Sequence, residues 1–478
     1  MDPYSLSAAD WLLAAPLLWL AAAALLVLVL DSVRPTPRLE AGVALGGMLG
    51  AALSMTPLLG REETAGFLVA GGGSMLRATP ALAALAIFCV GAAAFAGFTA
   101  LRGLCRHEGG RHGTAFWALV LLCPMGMILT LWADHMAALF LGIEILSLPL
   151  YVLAALRRAD AGSVEAGIKY FLLGAFASGF LAFGMALVYA GTGDLGSGAV
   201  ATAAESGGIG LVGAGLMLIA LLFKVAAAPF HLWVADVYQG SPTPVTALMA
   251  AGTKAAAIAA LMRWGPGPEM VPASGWALLG SLTLLVGNFS ALNQGNLKRM
   301  LALSGVAHVG ILFYAFAARA AGAEAEAWST VTYYLVAYGL AALAAFGALE
   351  LAERRSGGTS DEELLRGLAR RQPLVGGVLC VALLSLAGVP FTAGFLAKYF
   401  VFVEMVRAGL TVWALIGVLL TLVSFAYYLR ALVTLFMLEP AREKPTAVLQ
   451  DALAAAALLV PTALSIVFGL WPEPLHAL

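Results

Sequence analysis

Residues 221–244 read LLFKVAAAPFHLWVADVYQGSPTP, and they place a lysine and a proline at the end of a long apolar segment. No charged residue occurs between Gly207 and Phe223, and Lys224 follows at once. Pro229 comes soon after the lysine, and proline interrupts a helix because it lacks the backbone N–H and clashes with the preceding turn. The stretch therefore predicts a membrane helix that breaks close to a buried charge.

The composition of the whole chain supports a membrane setting. Of its 478 residues, 62% are hydrophobic and only 11% are charged, whereas soluble domains carry about 25% charged residues. The chain therefore lacks the charge to cover a water-facing surface, and we expect an all-α polytopic membrane protein. The net charge of −1, without a basic stripe, gives no sign of nucleic-acid binding. The four cysteines are too dispersed for a zinc or iron–sulfur pattern, and we expect them to be small packing residues: Cys89, Cys105, Cys123 and Cys380.

The apolar segments predict about 14 transmembrane helices, because a span needs about 20 mostly apolar residues. They cover residues 11–31, 39–60, 78–100, 113–132, 135–156, 168–190, 208–230, 243–264, 273–293, 297–317, 329–352, 374–404, 409–435 and 450–471. The first follows acidic residues and no basic ones, so we expect a retained helix and not a cleaved signal. Helices 7 and 12 contain Pro229 and Pro390 and are predicted to be broken.

Lysine and arginine positions predict the orientation in the membrane. The odd-numbered loops hold 18 of the 26 such residues, and the even-numbered loops hold five: Arg61, Arg77, Arg263, Arg319 and Arg407. Cytoplasmic loops are the ones enriched in lysine and arginine, so both termini are expected on the periplasmic side.

The longest cytoplasmic connection covers residues 353–373. In it Ser360 and Glu363 match a capping box, and a short apolar stripe follows: Leu364, Leu365 and Leu368. We expect a small interfacial helix here, and docking of a partner is a second interpretation.

An internal repeat is indicated by AAPF at 227–230 and AGVPF at 387–391, each near a lysine. We predict two inverted five-helix repeats, 113–264 (helices 4–8) and 273–435 (helices 9–13). Helices 1–3 lie within 1–112 and helix 14 is 450–471, all in a single membrane domain, 1–478. Inverted repeats with broken helices are typical of transporters. Chance similarity of two proline-containing helices is the alternative.

Deep charges mark the candidate site: Glu144, Lys224, Lys254 and Lys398. Each costs about 2.5–3.5 kcal/mol to insert at a helix centre, and a buried lysine can load and release a proton near neutral pH. We predict that Glu144 and Lys224 are partners across two helices; a static ion pair that fixes helix packing is the alternative.

Histidines and charges near the ends of spans complete the prediction. His231 and His308 are expected to relay protons between the lysines, and ordinary helix–helix hydrogen bonds are the alternative. Glu404, Asp134 and His135 lie at span ends, where we expect solvated side chains.

Five stretches carry a resemblance to a known family: LFLGIEILSLPLYVL, IKYFLLGAFASG, FHLWVADVYQGSPTPVTA, NQGNLKRMLALSGVAHVG and GVPFTAGFLAKYF. The chain resembles the antiporter-like membrane subunits of proton-pumping NADH:quinone oxidoreductase, bacterial complex I. The resemblance implies fourteen helices in two inverted repeats, each contributing a half-channel. The residues around His308, Gly305–Val306 and Ile311–Leu312, are more apolar than the family pattern.

The resemblance also implies roles and surroundings. Glu144 and Lys224 would form the coupling pair, Lys254 would be the central proton carrier, and Lys398 the exit lysine. The chain would bind no cofactor or metal, while NADH, FMN, iron–sulfur clusters and quinone would bind to other subunits. Its partners would be other membrane-arm subunits, protons and the lipid bilayer of the bacterial cytoplasmic (inner) membrane.

Two other classes of function stay open at this point. A subunit of a cation/proton antiporter or of a membrane-bound hydrogenase would share the same buried charges. A purely structural membrane scaffold would not explain three buried lysines.

Overall fold

The computed structural model describes residues 6–33, 36–68, 73–101, 113–356, 361–439 and 452–476. Within them the regular secondary structure is helical apart from one hairpin. The helices are α1 (Ala8–Val33), α2 (Pro37–Met55), α3 (Pro80–Ala100), α4 (Gly113–Trp132), α5 (Met136–Ala154), α6 (Ala161–Thr192), α7 (Ala199–Ser206), α8 (Gly208–Val225), α9 (Val234–Gly240), α10 (Thr243–Trp264), α11 (Ala273–Leu292), α12 (Leu297–Ala320), α13 (Glu324–Ser356), α14 (Glu362–Leu365), α15 (Leu368–Arg371), α16 (Pro373–Ala387), α17 (Ala393–Arg407), α18 (Thr411–Phe436), α19 (Ala452–Leu470) and α20 (Glu473–His476).

The predicted apolar segments are all helical, which makes the chain a multi-pass membrane protein. Twelve helices of the described residues are long and apolar enough to cross a membrane, and α16 and α19 are shorter apolar helices.

The predicted breaks in the seventh and twelfth spans are confirmed. The seventh span ends at Val225, before the expected boundary, because Ala226 turns the chain with a φ of 63°. The twelfth is divided into α16 and α17.

The chain divides into two compact units. The first contains Met1–Leu153, Tyr170–Val225 and Gly252–Met270, and the second contains Ala154–Lys169, Ala226–Ala251 and Val271–Leu478. In the first unit α1 packs along α2 and α4, and α3 packs on α4. In the second unit α12 and α13 are buried over their whole apolar windows, with α11 against α12 and with α16, α17 and α19 against α13. The predicted repeat boundaries remain predictions.

A hairpin interrupts the helical pattern in the first unit. Strand β1 (Thr64–Leu68) pairs antiparallel with β2 (Ser74–Ala78). No pattern in the sequence predicts this hairpin, because two short strands in a loop of mixed polarity give no sustained alternation.

The apolar stripe of the 353–373 connection is buried, contrary to one interpretation of the sequence. Residues 362–365 and 368–371 are short helices, but Leu364, Leu365 and Leu368 are only 4%, 2% and 1% exposed. These leucines are buried in their own chain, so docking of a partner through this stripe is wrong. Ser360 lies outside the described residues.

The cysteines mostly behave as predicted. Cys89 and Cys123 are buried and Cys380 is partly buried, while Cys105 lies outside the described residues.

Candidate functional site

One face of α5 carries Glu144 and the two hydroxyl groups that contact Lys224. Glu144, Ser147 and Tyr151 are spaced by three and four residues, so they lie along one side of the helix. Lys224, in the last turn of α8, donates to the Ser147 hydroxyl at 2.8 Å and to the Tyr151 hydroxyl at 3.3 Å. Its ammonium also lies 5.8 Å from the centre of the Tyr151 ring, within cation–π range.

Glu144 and Lys224 are neighbours without a direct contact. Glu144 accepts a hydrogen bond from the Ser178 hydroxyl of α6, and no ion pair joins it to Lys224 among the described residues. Ser147, which accepts from Lys224, lies three residues from Glu144 on the same helix, so the carboxylate is close enough to act on the lysine through space. The static ion pair is therefore absent from this arrangement, and two hydroxyls solvate the lysine instead.

Lys254 follows an irregular turn of α10. Residues Met249–Thr253 are a π-helix, and Lys254 begins the regular helix that follows. π-Helical turns are rare and often occur at functional sites. The lysine is only 5% exposed. The sequence predicted the buried lysine, but no residue pattern pointed to the π-helical turn.

Lys398 of the second unit lies at the break between α16 and α17. Its ammonium donates to the carbonyl oxygens of Leu386 and Ala387, each at 2.8 Å. These carbonyls end α16, where the helix offers them no intrahelical donor. The interruption near Pro390 thus supplies acceptors for a lysine that is 7% exposed.

His308 lies among hydroxyl groups of three helices in the second unit. Its Nδ1 is 2.7 Å from the Tyr334 hydroxyl of α13, and its Nε2 is 3.4 Å from the Tyr428 hydroxyl of α18. Tyr428 in turn contacts Ser304 of α12. Apolar neighbours in the sequence of α12 therefore do not isolate the histidine, because the other helices supply its polar contacts.

The remaining predicted residues lie in the connection between α8 and α9. His231 is partly exposed and Pro229 is exposed, and the Ala228–Pro229 peptide bond is cis. The described contacts do not place His231 in a chain of hydrogen bonds, so its role as a relay stays a prediction.

Asp134 was expected at a solvated helix end, and this is wrong. It is 4% exposed and accepts from Arg263 at 2.6 Å, Arg77 at 2.9 Å, Ser74 at 2.6 Å and Ser197 at 2.8 Å. Burial alone would raise the pKa of Asp134, but the two hydroxyls and Arg263 outweigh it and lower the pKa. The neighbouring His135 is partly exposed, as expected.

Glu404 was also expected at the membrane interface, and this is wrong, because its side chain is buried and only 6% exposed. Two further charges are buried although the sequence places them in a cytoplasmic loop or at the end of a span. Lys298 is 3% exposed and donates to the Ser241 carbonyl at 2.6 Å. Glu353 is 5% exposed and accepts from the Thr243 hydroxyl at 2.6 Å. No sequence signal distinguishes a buried charge at a helix end from a solvated one, because the hydrogen-bond partners of these residues lie far away in the chain.

Comparisons with known proteins agree with this fold. The family described as NADH:quinone oxidoreductase/Mrp antiporter, TM, matches residues 133–424. A curated relative, NADH-quinone oxidoreductase subunit N of Geobacter metallireducens, is 43% identical over 382 residues, covering 77% of this chain and 78% of the relative.

Two solved structures are also similar. A chain of respiratory complex I from Thermus thermophilus, with bound aureothin, has a TM-score of 0.81 and 34% identity over 97% of this chain and 98% of that chain. The Mrp complex from Dietzia has a chain with a TM-score of 0.84 but 22% identity, over 97% of this chain and 95% of that chain. At that identity the second likeness concerns the fold alone. The chain therefore belongs to the NADH-quinone oxidoreductase subunit N family, within the NADH:quinone oxidoreductase/Mrp antiporter membrane proteins.

Proposed function

We propose that the chain translocates protons as a membrane-arm subunit of an NADH-quinone oxidoreductase, while quinone is reduced in other subunits. The observation that carries the proposal is the placement of buried lysines at helix irregularities. Lys254 follows a π-helical turn, and Lys398 closes a helix break. A lysine removed from water can take up and release a proton near neutral pH.

In the first unit we assign Glu144 and Lys224 as a coupled loading pair. Hydroxyls of Ser147 and Tyr151 hold the ammonium close to the carboxylate without pairing the two directly. A change in the charge of Glu144 then alters how strongly Lys224 holds its proton. Lys254 of the same unit would be the next carrier.

In the second unit we assign the relay of protons to His308 and the last binding step before release to Lys398. Tyr334 and Tyr428 contact both ring nitrogens of His308, so the imidazole can receive a proton at one nitrogen and lose one at the other. Lys398 would hold the proton before its release. His231 remains a second candidate for a relay.

The proposed setting is the bacterial inner membrane. The lysine and arginine asymmetry supports cytoplasmic odd-numbered loops and periplasmic termini. The chain would contact other membrane-arm subunits and lipid, and would bind no cofactor itself. NADH, FMN, iron–sulfur clusters and quinone would be held by other subunits.

A second candidate function is a subunit of a cation/proton antiporter. The match to the family described as NADH:quinone oxidoreductase/Mrp antiporter, TM, favours it, whereas the subunit N relative at 43% identity favours the quinone oxidoreductase. Proton movement that depends on sodium and not on NADH would support the antiporter instead.

The experiment that tests the proposal is Lys254→Ala in the whole complex. We would measure NADH:quinone oxidoreduction and NADH-driven proton translocation in membrane vesicles, with assembly checked separately. Loss of an acid–base group predicts at least a roughly tenfold fall in translocation. Arg61→Ala removes an exposed cation of the same unit and should have no effect. Full translocation by an assembled Lys254→Ala complex would exclude Lys254 as a carrier.

A further inference from the structure

Glu404 is a buried acid on the same helix as Lys398. Both lie on α17, with 6% and 7% exposure. They are six positions apart, which is about 9 Å along a helix axis. Glu404 lies on the Arg407 side of the lysine, toward the end of α17 that the arginine and lysine distribution assigns to the periplasm. The acid is therefore placed between the proposed exit lysine and the outer surface.

The two carboxylate oxygens of Glu404 have different surroundings. Oε1 accepts a hydrogen bond from the Thr330 hydroxyl of α13. Oε2 is buried and has no hydrogen-bond partner among the described residues. An unpaired buried acceptor costs about 1–3 kcal/mol. One oxygen of Glu404 is thus left available to accept a proton.

The charged neighbours of Glu404 complete its environment. Glu326, exposed in the first turn of α13, and Arg407, on the same helix as Glu404, act on it electrostatically. His476 of α20 packs on the Phe400 ring of α17, with ring centroids 4.3 Å apart.

We propose that Glu404 is a proton-carrying residue of this chain, between Lys398 and the periplasmic surface. The inference rests on the proposed function and adds a residue to its exit path. A proton leaves the ammonium of Lys398, which becomes neutral, and bonds to Oε2 of Glu404, with water carrying it across the separation. The carboxylic acid then releases the proton to water beside Glu326. No electron or heavy atom is transferred.

The test uses Glu404→Gln in the assembled complex, because glutamine keeps the size of the side chain and an acceptor for Thr330 but cannot carry a proton. We expect NADH-driven proton translocation in vesicles to fall by about tenfold or more, with a changed dependence on pH. Glu404→Asp should retain most of the translocation. Glu269→Gln, at an exposed acid, is the control and should match the parent chain.

A purely structural role predicts a different pattern. In that case Glu404→Gln would translocate normally with the parent pH profile, and only Thr330→Val would impair assembly; this result would overturn the inference. Lys398→Ala distinguishes a failure of the inference about Glu404 from a failure of the proposed function. If it abolishes translocation while Glu404→Gln does not, the exit residue is wrong but the proposed function stands. If both variants translocate normally, the proposed function itself fails in this unit.

Discussion

The hydroxyl of Tyr151 occupies the space that a side chain on Gly174 would take. Tyr151 accepts from Lys224 and places its ring 5.8 Å from the ammonium, while Tyr170 packs edge-on against it with centroids 4.7 Å apart. A single glycine of α6 therefore decides whether the tyrosine can reach the lysine.

Gly174→Ala should displace Tyr151 and weaken the hold on the charged lysine. The lost hydrogen bond and cation–π contact are together worth roughly 1–2 kcal/mol, so we expect proton translocation to fall by roughly tenfold. Gly179→Ala, in the same helix, has no atom within 4 Å of the added methyl group and serves as the matched control. Equal translocation by both variants would show that Tyr151 does not tune Lys224.

Gly388→Ala should disable the site around Lys398. A methyl group there would lie 2.9 Å from Cδ and 3.3 Å from Nζ of the lysine, and Gly388 has a φ of 87° that disfavours alanine. The left-handed conformation alone costs about 1–2 kcal/mol. We expect reduced translocation with partial assembly, measured against Gly377→Ala, where no atom lies within 4 Å. Unchanged translocation would mean that the position of the lysine at the break is unimportant.

Glu144 and Lys224 should behave as one functional unit although they do not touch. We expect Glu144→Gln to lower translocation strongly, and the double variant Glu144→Gln/Lys224→Met to be little worse, since the second change removes a group already disabled. Glu144→Asp keeps the charge and should be milder. Translocation would be measured for the two single variants and the double variant; multiplicative losses would contradict the coupling.

Ser147→Ala tests the hydroxyl that holds Lys224. The variant removes the 2.8 Å contact and leaves both charges in place. A loss smaller than that of Glu144→Gln is expected, because the Tyr151 hydroxyl still contacts the ammonium.

Asp134→Asn should destabilise the first unit. The carboxylate binds Arg263, and removing one member of a buried pair costs roughly 3–5 kcal/mol. Unfolding in mixed detergent micelles would measure the change. Glu63→Gln removes an exposed partner of Arg77, and its effect should stay within about 1 kcal/mol. Similar stability of both variants would contradict a role for the Asp134 cluster.

The Asp134 contribution should also depend on pH. Because its pKa is lowered in the folded state, the stabilisation is present above the ordinary value of 3.8 and is lost as the pH falls through the folded-state pKa. The parent chain should therefore lose more stability than Asp134→Asn as the pH falls below 3.8 and through the lowered folded-state pKa. Parallel losses would argue against the lowered pKa.

The orientation can be tested by labelling single cysteines in intact cells after the native cysteines are replaced. Glu269 and Glu363 are both exposed and lie in loops assigned to opposite sides of the membrane. An impermeant reagent added outside should label Glu269→Cys and spare Glu363→Cys. The reverse pattern would invert the orientation and the proposed direction of proton exit.

The apolar segments, the two helix breaks and the buried lysines could all be predicted from the sequence. Each of these features is local. About 20 consecutive side chains decide whether a segment enters the bilayer, and a proline acts on its own helix turn. Lys254 and Lys398 are buried as such a segment predicts, whereas Lys224, in the last turn of α8, is only partly buried.

The partners of these charges were decided only by the tertiary structure. Ser178 reaches Glu144, the end of α16 receives Lys398, and Thr330 binds Glu404. The burial of Asp134 depends on Arg263, which lies more than a hundred residues later in the chain. Hydropathy describes how a helix interacts with lipid, but a charge near a helix end is solvated or buried according to which other helices pack around it. That packing brings together residues far apart in the sequence, so no local pattern encodes it.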